Sequence, residues 1–449
     1  HFYAIISPFS LRRMMNALFA ALEGRQLEVL RTIIDSKADL EVRDRLGRTA
    51  VMFAATYDDP ACLQLLLDAN ADIEARDPKF KRTALMWAVT YGKEECLQLL
   101  IAANANVNTF DTHHGPAIQS AVIHGHNACA RLLIEANANL EVIQPTTHLW
   151  IPRTDNTASA PLTVDTDVDG GTCGNSFQLT ALMLCARFGN TELAQLLLDA
   201  NANIEGTAYC TRTAIRIAAD FGHLDCVQLL FDANADINAQ DSKIRETPLI
   251  SAAEKGDTAC VELLLRLNAN VDNIDENGYS VLMWAARNGH ETCMQLLIDA
   301  NADITLRSRY GRSASLMAAK NGHPACLQAL VDAKADINAP DGCGRTALMC
   351  AARYGHIACA RLLCEAKANL DVKTLLDGRT ALMWAAHESE ECTKLLIDAK
   401  ANIHVQDKFG KTALILACEN GNAASARVLV DAKADIHAKS RLYSSDSLM

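Results

Sequence analysis

Sixteen cysteines and thirteen histidines in a chain of 449 residues could build a disulfide framework, a zinc array or a nucleophile–base pair, and their spacing tests each possibility. Cys62, Cys96, Cys129, Cys226, Cys260, Cys293, Cys326, Cys359 and Cys392 share one position, early in a recurring helical segment. Stacked helices lie roughly 8–10 Å apart, beyond the ~7 Å Cα limit for a disulfide, and the same separation rules out zinc shared along the column. These thiols are predicted to be free, buried and to act as small hydrophobes. His126, His223, His290, His323 and His356 each follow a glycine, which makes them framework loop residues rather than bases. His113-His114 has no partner at H-x-x-x-H spacing. Asp165-Thr166-Asp167-Val168-Asp169-Gly170 matches the first half of a calcium loop, but the twelfth position is Ser176 instead of a bidentate Glu, so a solvated acidic loop is expected. No G-x-x-x-x-G-K-[ST] phosphate loop is present, and no Ser/His/Asp or Cys/His arrangement stands apart. No catalytic residue, cofactor or metal is therefore predicted.

The elements that position these residues repeat. Thr49, Thr83, Thr180, Thr213, Thr247, Ser280, Ser313, Thr346, Thr380 and Thr412 follow one another at about 33 residues, with Pro116 at the expected place in one nearly doubled gap. Each hydroxyl is suited to cap a short Ala- and Leu-rich helix. That helix ends at a glycine such as Gly92, Gly189 or Gly289, where a left-handed backbone carries no Cβ penalty. A second helix follows, with Cys293, Leu296, Leu297 and Ala300 on one face in the repeat Asn277 to Arg307. It ends at Asn (Asn70, Asn104, Asn137, Asn201, Asn234, Asn268, Asn301) or at Lys (Lys334, Lys367, Lys400, Lys433), then passes into a D-x-x-G turn. One such helix pair cannot bury its own apolar face, so neighbours must stack.

The pattern G-R-T-A-L-M-x-A-A-x-x-G-H…C-x-x-L-L-x-x-A-x-A-D-I resembles the ankyrin repeat over about nine-tenths of the chain. The resemblance implies an all-α solenoid of turn-plus-two-helix repeats, eleven full copies and an imperfect first one from about Asn16 to Arg43. The family's T-P-L-H keeps its Pro only at Thr247-Pro248, and its His is replaced by Met at Met52, Met86, Met183, Met283, Met349 and Met383. The inter-repeat hydrogen bonds which that His makes are expected to give way to methionine packing.

Residues 1–13 fit no repeat: either Met14 or Met15 is the natural start, or the chain is a fragment. Repeats are expected over 14–143 and 176–439, in one continuous stack. Residues 144–175, with Pro145, Pro152 and Pro161 and no L-L helix, are read as an inserted irregular loop, with a vanished repeat as the alternative. Residues 440–449 are an incomplete repeat or stub, expected to fray. A net charge of −12 argues against a nucleic-acid partner, and no segment approaches the ~20 apolar residues of a membrane span. Many free thiols and the lack of N-x-S/T point to cytoplasm or nucleus.

Function is then expected where repeats differ. The resemblance implies that turn tips and first-helix ends line a concave groove. The residue before the hydroxyl is Arg48, Arg82, Arg212, Arg312, Arg345, Arg379 or Lys411. Before the helix-ending glycine stand Tyr91, His124, Phe188, Phe221 and Tyr354, with Tyr57 equivalent and Arg187 and Arg353 adjacent. This stripe predicts a groove for an acidic or extended protein segment, since Arg and Tyr are enriched at hot spots. The competing reading makes the Arg column framework, each pairing with a turn carboxylate such as Asp44 or Asp341. The predicted function is a non-catalytic adaptor or scaffold that is monomeric. The alternative is a substrate-targeting segment of a larger signalling or ubiquitin-ligase protein.

Overall fold

The computed structural model describes residues 8–141, 179–207 and 212–440, with side chains of the first helix from Met15. Among these residues lie 24 helices and no strand. They fall into two compact units, residues 1–235 and 236–449. In the first unit the helices are α1 (Pro8–Glu23), α2 (Leu27–Asp35), α3 (Ala50–Tyr57), α4 (Pro60–Asp68), α5 (Ala84–Thr90), α6 (Glu94–Ala102), α7 (Ala117–His124), α8 (Asn127–Glu135), α9 (Ala181–Phe188), α10 (Thr191–Asp199), α11 (Ala214–Asp220) and α12 (Leu224–Asp232). The second unit holds α13 (Pro248–Lys255), α14 (Thr258–Arg266), α15 (Val281–Asn288), α16 (Glu291–Asp299), α17 (Ala314–Asn321), α18 (Pro324–Asp332), α19 (Ala347–Arg353), α20 (Ile357–Glu365), α21 (Ala381–Glu388), α22 (Glu390–Asp398), α23 (Ala413–Glu419) and α24 (Ala423–Asp431). Within each unit, first helices pack on first helices and second helices on second helices. The twelve pairs match the predicted eleven repeats and imperfect first copy.

The local chemistry of a repeat is seen in α15 and α16. Ser280 Oγ accepts the N–H of Met283 at 3.3 Å, closing an orphan donor of the first turn. The helix buries Val281, Leu282, Met283, Ala285 and Ala286, and stops at Gly289 with φ 80°. The second helix buries Cys293, Met294 and Leu297 and yields to Asn301 at φ 60°. Lys334, Lys367, Lys400 and Lys433 take the same left-handed conformation, at φ 60–71°. Each accepts about 1 kcal/mol of strain there, set against the burial of a whole helix face at 1.5–3 kcal/mol per large apolar side chain, an order-of-magnitude range.

The methionines that replace the family histidine are all buried, as expected. Other inter-repeat hydrogen bonds are present, made by the histidines after the glycines. In the first unit His126 Nε2 donates to Thr90 O at 3.2 Å and His223 Nε2 to Arg187 O at 2.9 Å. In the second, His290, His323 and His356 reach Glu254 O, Arg287 O and Lys320 O at 2.9, 3.0 and 3.0 Å. Each ring also lies over the glycine of the preceding repeat: a Cβ on Gly289 would fall 2.4 Å from His323 Nδ1. These glycines thus answer two demands, a positive φ and a close approach.

The nine-cysteine column is buried throughout, as the third residue of its helices. Burial pushes the Cys62, Cys96 and Cys129 thiols up to about 12 and Cys226, Cys326 and Cys359 up to about 11. The thiolate is the reactive form, so among the described cysteines iodoacetamide at pH 8 should label exposed Cys418 first and leave the column unmodified until unfolding. Peptide mapping that found Cys293 or Cys359 alkylated as fast as Cys418 would contradict this packing.

Two boundaries differ from expectation or pass beyond view. The first helix begins at Pro8, inside the stretch 1–13 expected to precede the repeats. The proposed inserted loop 144–175, with its Asp165–Gly170 motif, and residues 441–449 of the stub lie outside the described residues. On either side of the insertion the repeats are direct neighbours: α7 packs on α9 and α8 on α10. Gln119 Nε2 donates to Leu179 O at 2.8 Å, Asn190 Nδ2 to Asn127 Oδ1 at 2.9 Å, and Asn203 N to Glu141 Oε1 at 2.8 Å. The last bond belongs to a ladder that elsewhere joins consecutive repeats, as in Asp72 N to Glu41 Oε1 and Asn106 N to Glu74 Oε1.

Candidate functional site

The candidate residues sit at two places in each repeat, the end of the turn and the end of the first helix. In the first unit the turn end is a closed ion-pair system. Arg48 is 5% exposed and its Nε donates to Asp44 Oδ2 at 2.8 Å, while its guanidinium lies over the Phe53, Tyr57 and Trp87 rings. Arg82 is 6% exposed; its Nε donates to Asp111 Oδ2 of the next repeat at 2.7 Å, and Nη2 lies 2.8 Å from His114 Nδ1. Burial alone would raise the Asp111 carboxyl, but the His114 ring and the Arg82 guanidinium outweigh it and hold it well below the usual carboxylate range. Arg212 is half-buried, 3.6 Å from Asp220. Arg48 and Arg82 therefore follow the competing reading, in which the Arg column is framework paired with carboxylates. Their charge is spent inside the fold, because an unpaired buried guanidinium would be prohibitive.

What the first unit exposes instead is aromatic. Tyr57, Tyr91 and Phe221 are about half exposed at the ends of α3, α5 and α11, with Phe188 half-buried at the end of α9. Tyr91 stacks on Trp87 with centroids 5.8 Å apart, and Arg187 lies 4.8 Å over Phe221. His124 belongs to the row by position only. Its Nδ1 donates to Ser120 O at 2.8 Å, and burial draws the imidazole down to about 4, so it is neutral near pH 7.

The second unit is different. Arg345 holds a single oxygen of Asp341 with two nitrogens, Nε and Nη2 lying 2.9 and 2.7 Å from Oδ2, and Lys411 pairs with Glu419 at 2.7 Å. Arg379 lies between Asp377 and Asp407, at 3.4 and 3.9 Å. Arg312 has a phenol in place of a carboxylate, its Nη1 donating to Tyr279 Oη at 2.6 Å. Arg287, Lys320 and Arg353 make no ion pair among the described residues. Burial, and the charges of Arg312, Arg345 and Arg287, hold Lys320 below its usual value, which marks a concentration of cations on this side. Arg353 stands 4.4 Å over Trp384 and 5.8 Å over exposed Tyr354, and Arg287 lies 4.7 Å over Trp284.

Trp384 and Trp284 are half-buried and form the floor under Arg353 and Arg287. Trp284 Nε1 donates to Asp275 Oδ2 at 3.2 Å, whereas Trp384 Nε1 has no partner. The signal available was the Trp in T-A-L-M-W, at a position where other copies carry Leu184 or Cys350. The described residues contain no group of three or more His, Cys, Asp or Glu able to hold a metal, and no helix long and apolar enough to cross a membrane.

A stack of paired short helices, capped by hydroxyls and joined by left-handed turns, is the architecture of a repeat-built recognition protein. The family profile for ankyrin repeats matches residues 6–77, 75–144, 158–241, 242–308, 305–374 and 368–440, and the chain belongs to the ankyrin repeat family. Among curated proteins it is similar to the ankyrin repeat protein YahD of Escherichia coli (strain K12), 38% identical over 60 residues, which is 13% of this chain and 29% of that one. Among solved structures it is similar to the human ASB11 ankyrin repeat domain, at 26% identity and a TM-score of 0.44 over 49% of this chain and 98% of that chain. Ankyrin repeats are generally protein–protein interaction modules and typically non-catalytic.

Proposed function

We propose that this chain is a non-catalytic adaptor whose first-helix ends bind protein segments, by aromatic contacts in the first unit and, in the second, by cations that hold an acidic stretch. The observation that carries the reading is the set Arg287, Arg312, Lys320 and Arg353, four cations with no carboxylate partner among the described residues. Arg353 lies over Trp384 and Tyr354, Arg287 over Trp284 and Arg312 over Tyr310, in a protein whose net charge is −12. The turn-end arginines Arg48, Arg82, Arg345 and Arg379 face carboxylates and these four cations do not, and cations over aromatic floors are the composition of interface hot spots. Tyr57, Tyr91 and Phe221 supply large contact area at small entropic cost.

The test starts from a partner captured with the full chain. Replacing Arg287, Lys320 and Arg353 together by Ala should weaken its affinity by about 30-fold or more, the size of a hot-spot loss, and flatten the salt dependence. Tyr91→Ala with Phe221→Ala should weaken it independently. Unchanged affinity in both sets would show that the binding side is elsewhere.

A further inference from the structure

Each junction histidine bonds the carbonyl of one fixed position in the preceding repeat, the seventh residue after the capping hydroxyl. In the second unit His290 holds Glu254 O, His323 holds Arg287 O and His356 holds Lys320 O, at 2.9, 3.0 and 3.0 Å. Counted from Thr247, Ser280, Ser313, Thr346, Thr380 and Thr412, this position reads Glu254, Arg287, Lys320, Arg353, His387 and Glu419. Three consecutive repeats therefore present a cation at the same place, with Glu254 directly before them. Their helices α15, α17 and α19 pack side by side, so the row has the spacing of packed helices, roughly 8–10 Å. All three side chains are half-buried and face no carboxylate among the described residues, whereas Arg345 and Arg379 on the turn side do.

A ligand that serves all three cations must present anions at the same interval. An α-helix rises about 1.5 Å per residue and would need a carboxylate at about every seventh position. A β-strand covers the interval in about three residues, but successive side chains alternate between its faces, so a period of three does not stay on one side. Polyproline II rises about 3.1 Å per residue with about three residues per turn, which returns every third side chain to one face after about 9 Å. The aromatic residues along the row favour the same conformation, which docks on aromatic surfaces. Trp284 lies 4.7 Å beneath the Arg287 guanidinium and Trp384 4.4 Å beneath that of Arg353, and Tyr354 is 46% exposed.

We propose that Arg287, Lys320 and Arg353 bind a proline-rich acidic segment in polyproline II conformation, with a carboxylate at every third residue and one carboxylate to each cation. The proposal rests on the reading that the first-helix ends are the binding side, and adds the spacing and number of the partner's charges. A fourth anion on the α13 side would meet the Glu254 carboxylate.

The experiment uses the full chain and fluorescein-labelled peptides, followed by anisotropy. Glu-Pro-Pro-Glu-Pro-Pro-Glu carries the proposed spacing, and Glu-Glu-Glu-Pro-Pro-Pro-Pro has the same composition without it. An alanine-rich helical peptide with Glu at every seventh residue supplies the other geometry. The spaced peptide should bind about tenfold more tightly than either, because its anions are pre-organised to meet all three cations. Lys320→Met removes the central charge and keeps an apolar stem, and should erase that preference with the thermal unfolding midpoint unchanged. Glu254→Lys lengthens the row by one cation. It should tighten binding of a peptide with a fourth Glu, three residues further on, by about tenfold, whereas the parent chain gains nothing from that fourth Glu. Equal binding of the spaced and clustered peptides, a preference for the helical one, or no binding by any overturns the proposal. So does a preference that survives Lys320→Met. The two readings fail separately. If the captured partner loses affinity with the Arg287, Lys320 and Arg353 set while the spaced and clustered peptides bind alike, only the spacing falls. If the partner is unaffected by that set and no acidic peptide binds, both fall.

Discussion

Asp111→Ala is expected to lower stability by about 3–5 kcal/mol, the cost of stranding one member of a buried ion pair. Asp111 is 4% exposed, accepts from Arg82 Nε and, through Oδ1, from the N–H groups of His113 and Gly115. Its loss leaves the Arg82 guanidinium buried without a counter-ion and opens the turn before α7. Stability in a repeat array is a sum of repeat and interface contributions. The damage should therefore centre on α5 to α8, and hydrogen exchange should show these helices losing protection before the rest of the first unit. The pH dependence has a defined sign. The folded carboxyl lies below its unfolded value, so its contribution is complete above the ordinary carboxylate range and is lost only as pH falls through the depressed value. The deficit of the variant should be constant from neutral pH down to mild acid and shrink in strong acid. A deficit below 1 kcal/mol at pH 7, or one that grows as the solution is acidified, would contradict the buried pair.

Gly289→Ala is the second large effect, at about 2 kcal/mol. Left-handed backbone accounts for roughly 1 kcal/mol of it. The remainder comes from His323, whose ring must move off the new Cβ and give up its bond to Arg287 O, worth about another 1 kcal/mol. Gly125→Ala is the internal control. Gly125 has φ 71°, but a Cβ there meets nothing within 4 Å, so only the backbone cost of about 1 kcal/mol applies. Urea titrations that ranked the two substitutions equally would remove the second role assigned to these glycines.

Features internal to one repeat were legible because they depend on neighbours in sequence. A hydroxyl three residues before an N–H, a glycine or asparagine where φ must turn positive, and a cysteine column on a helix face all follow from local geometry. The replacement of Asn by Lys at left-handed positions was readable for the same reason. Contacts between repeats were much less so. Arg48 and Arg345 pair with carboxylates four residues away, which the D-x-x-G-R spacing foretold. Arg82 crosses to Asp111, 29 residues on; its own turn is one residue longer, with Lys81 in place of the glycine, but that does not say which carboxylate it reaches. The histidines after glycine looked like punctuation, although their partners lie 36 residues earlier at a fixed offset. Once that offset is known, the junctions without the histidine, at Asp59, Lys93, Asn190, Asp257, Ser389 and Asn422, stand out as departures from the pattern.

This division also shifts the candidate site. The turn-end arginines were chosen for type and spacing, and most proved to be matched to carboxylates or a phenol. The first-helix ends kept their exposure, and Trp384 joined them because its indole lies beneath Arg353 and Arg379. Periodicity identified the scaffold, and departures from it mark where recognition is proposed.

The most direct test is to locate the bound partner. Two chains would carry a photo-crosslinking amino acid, one in place of Tyr354 at the end of α19 and the other in place of Asp332 at the end of the second helix α18. With the captured partner present, crosslinked product is expected from position 354 and not from position 332. Equal crosslinking from both, or product from position 332 alone, would contradict recognition by the first-helix ends.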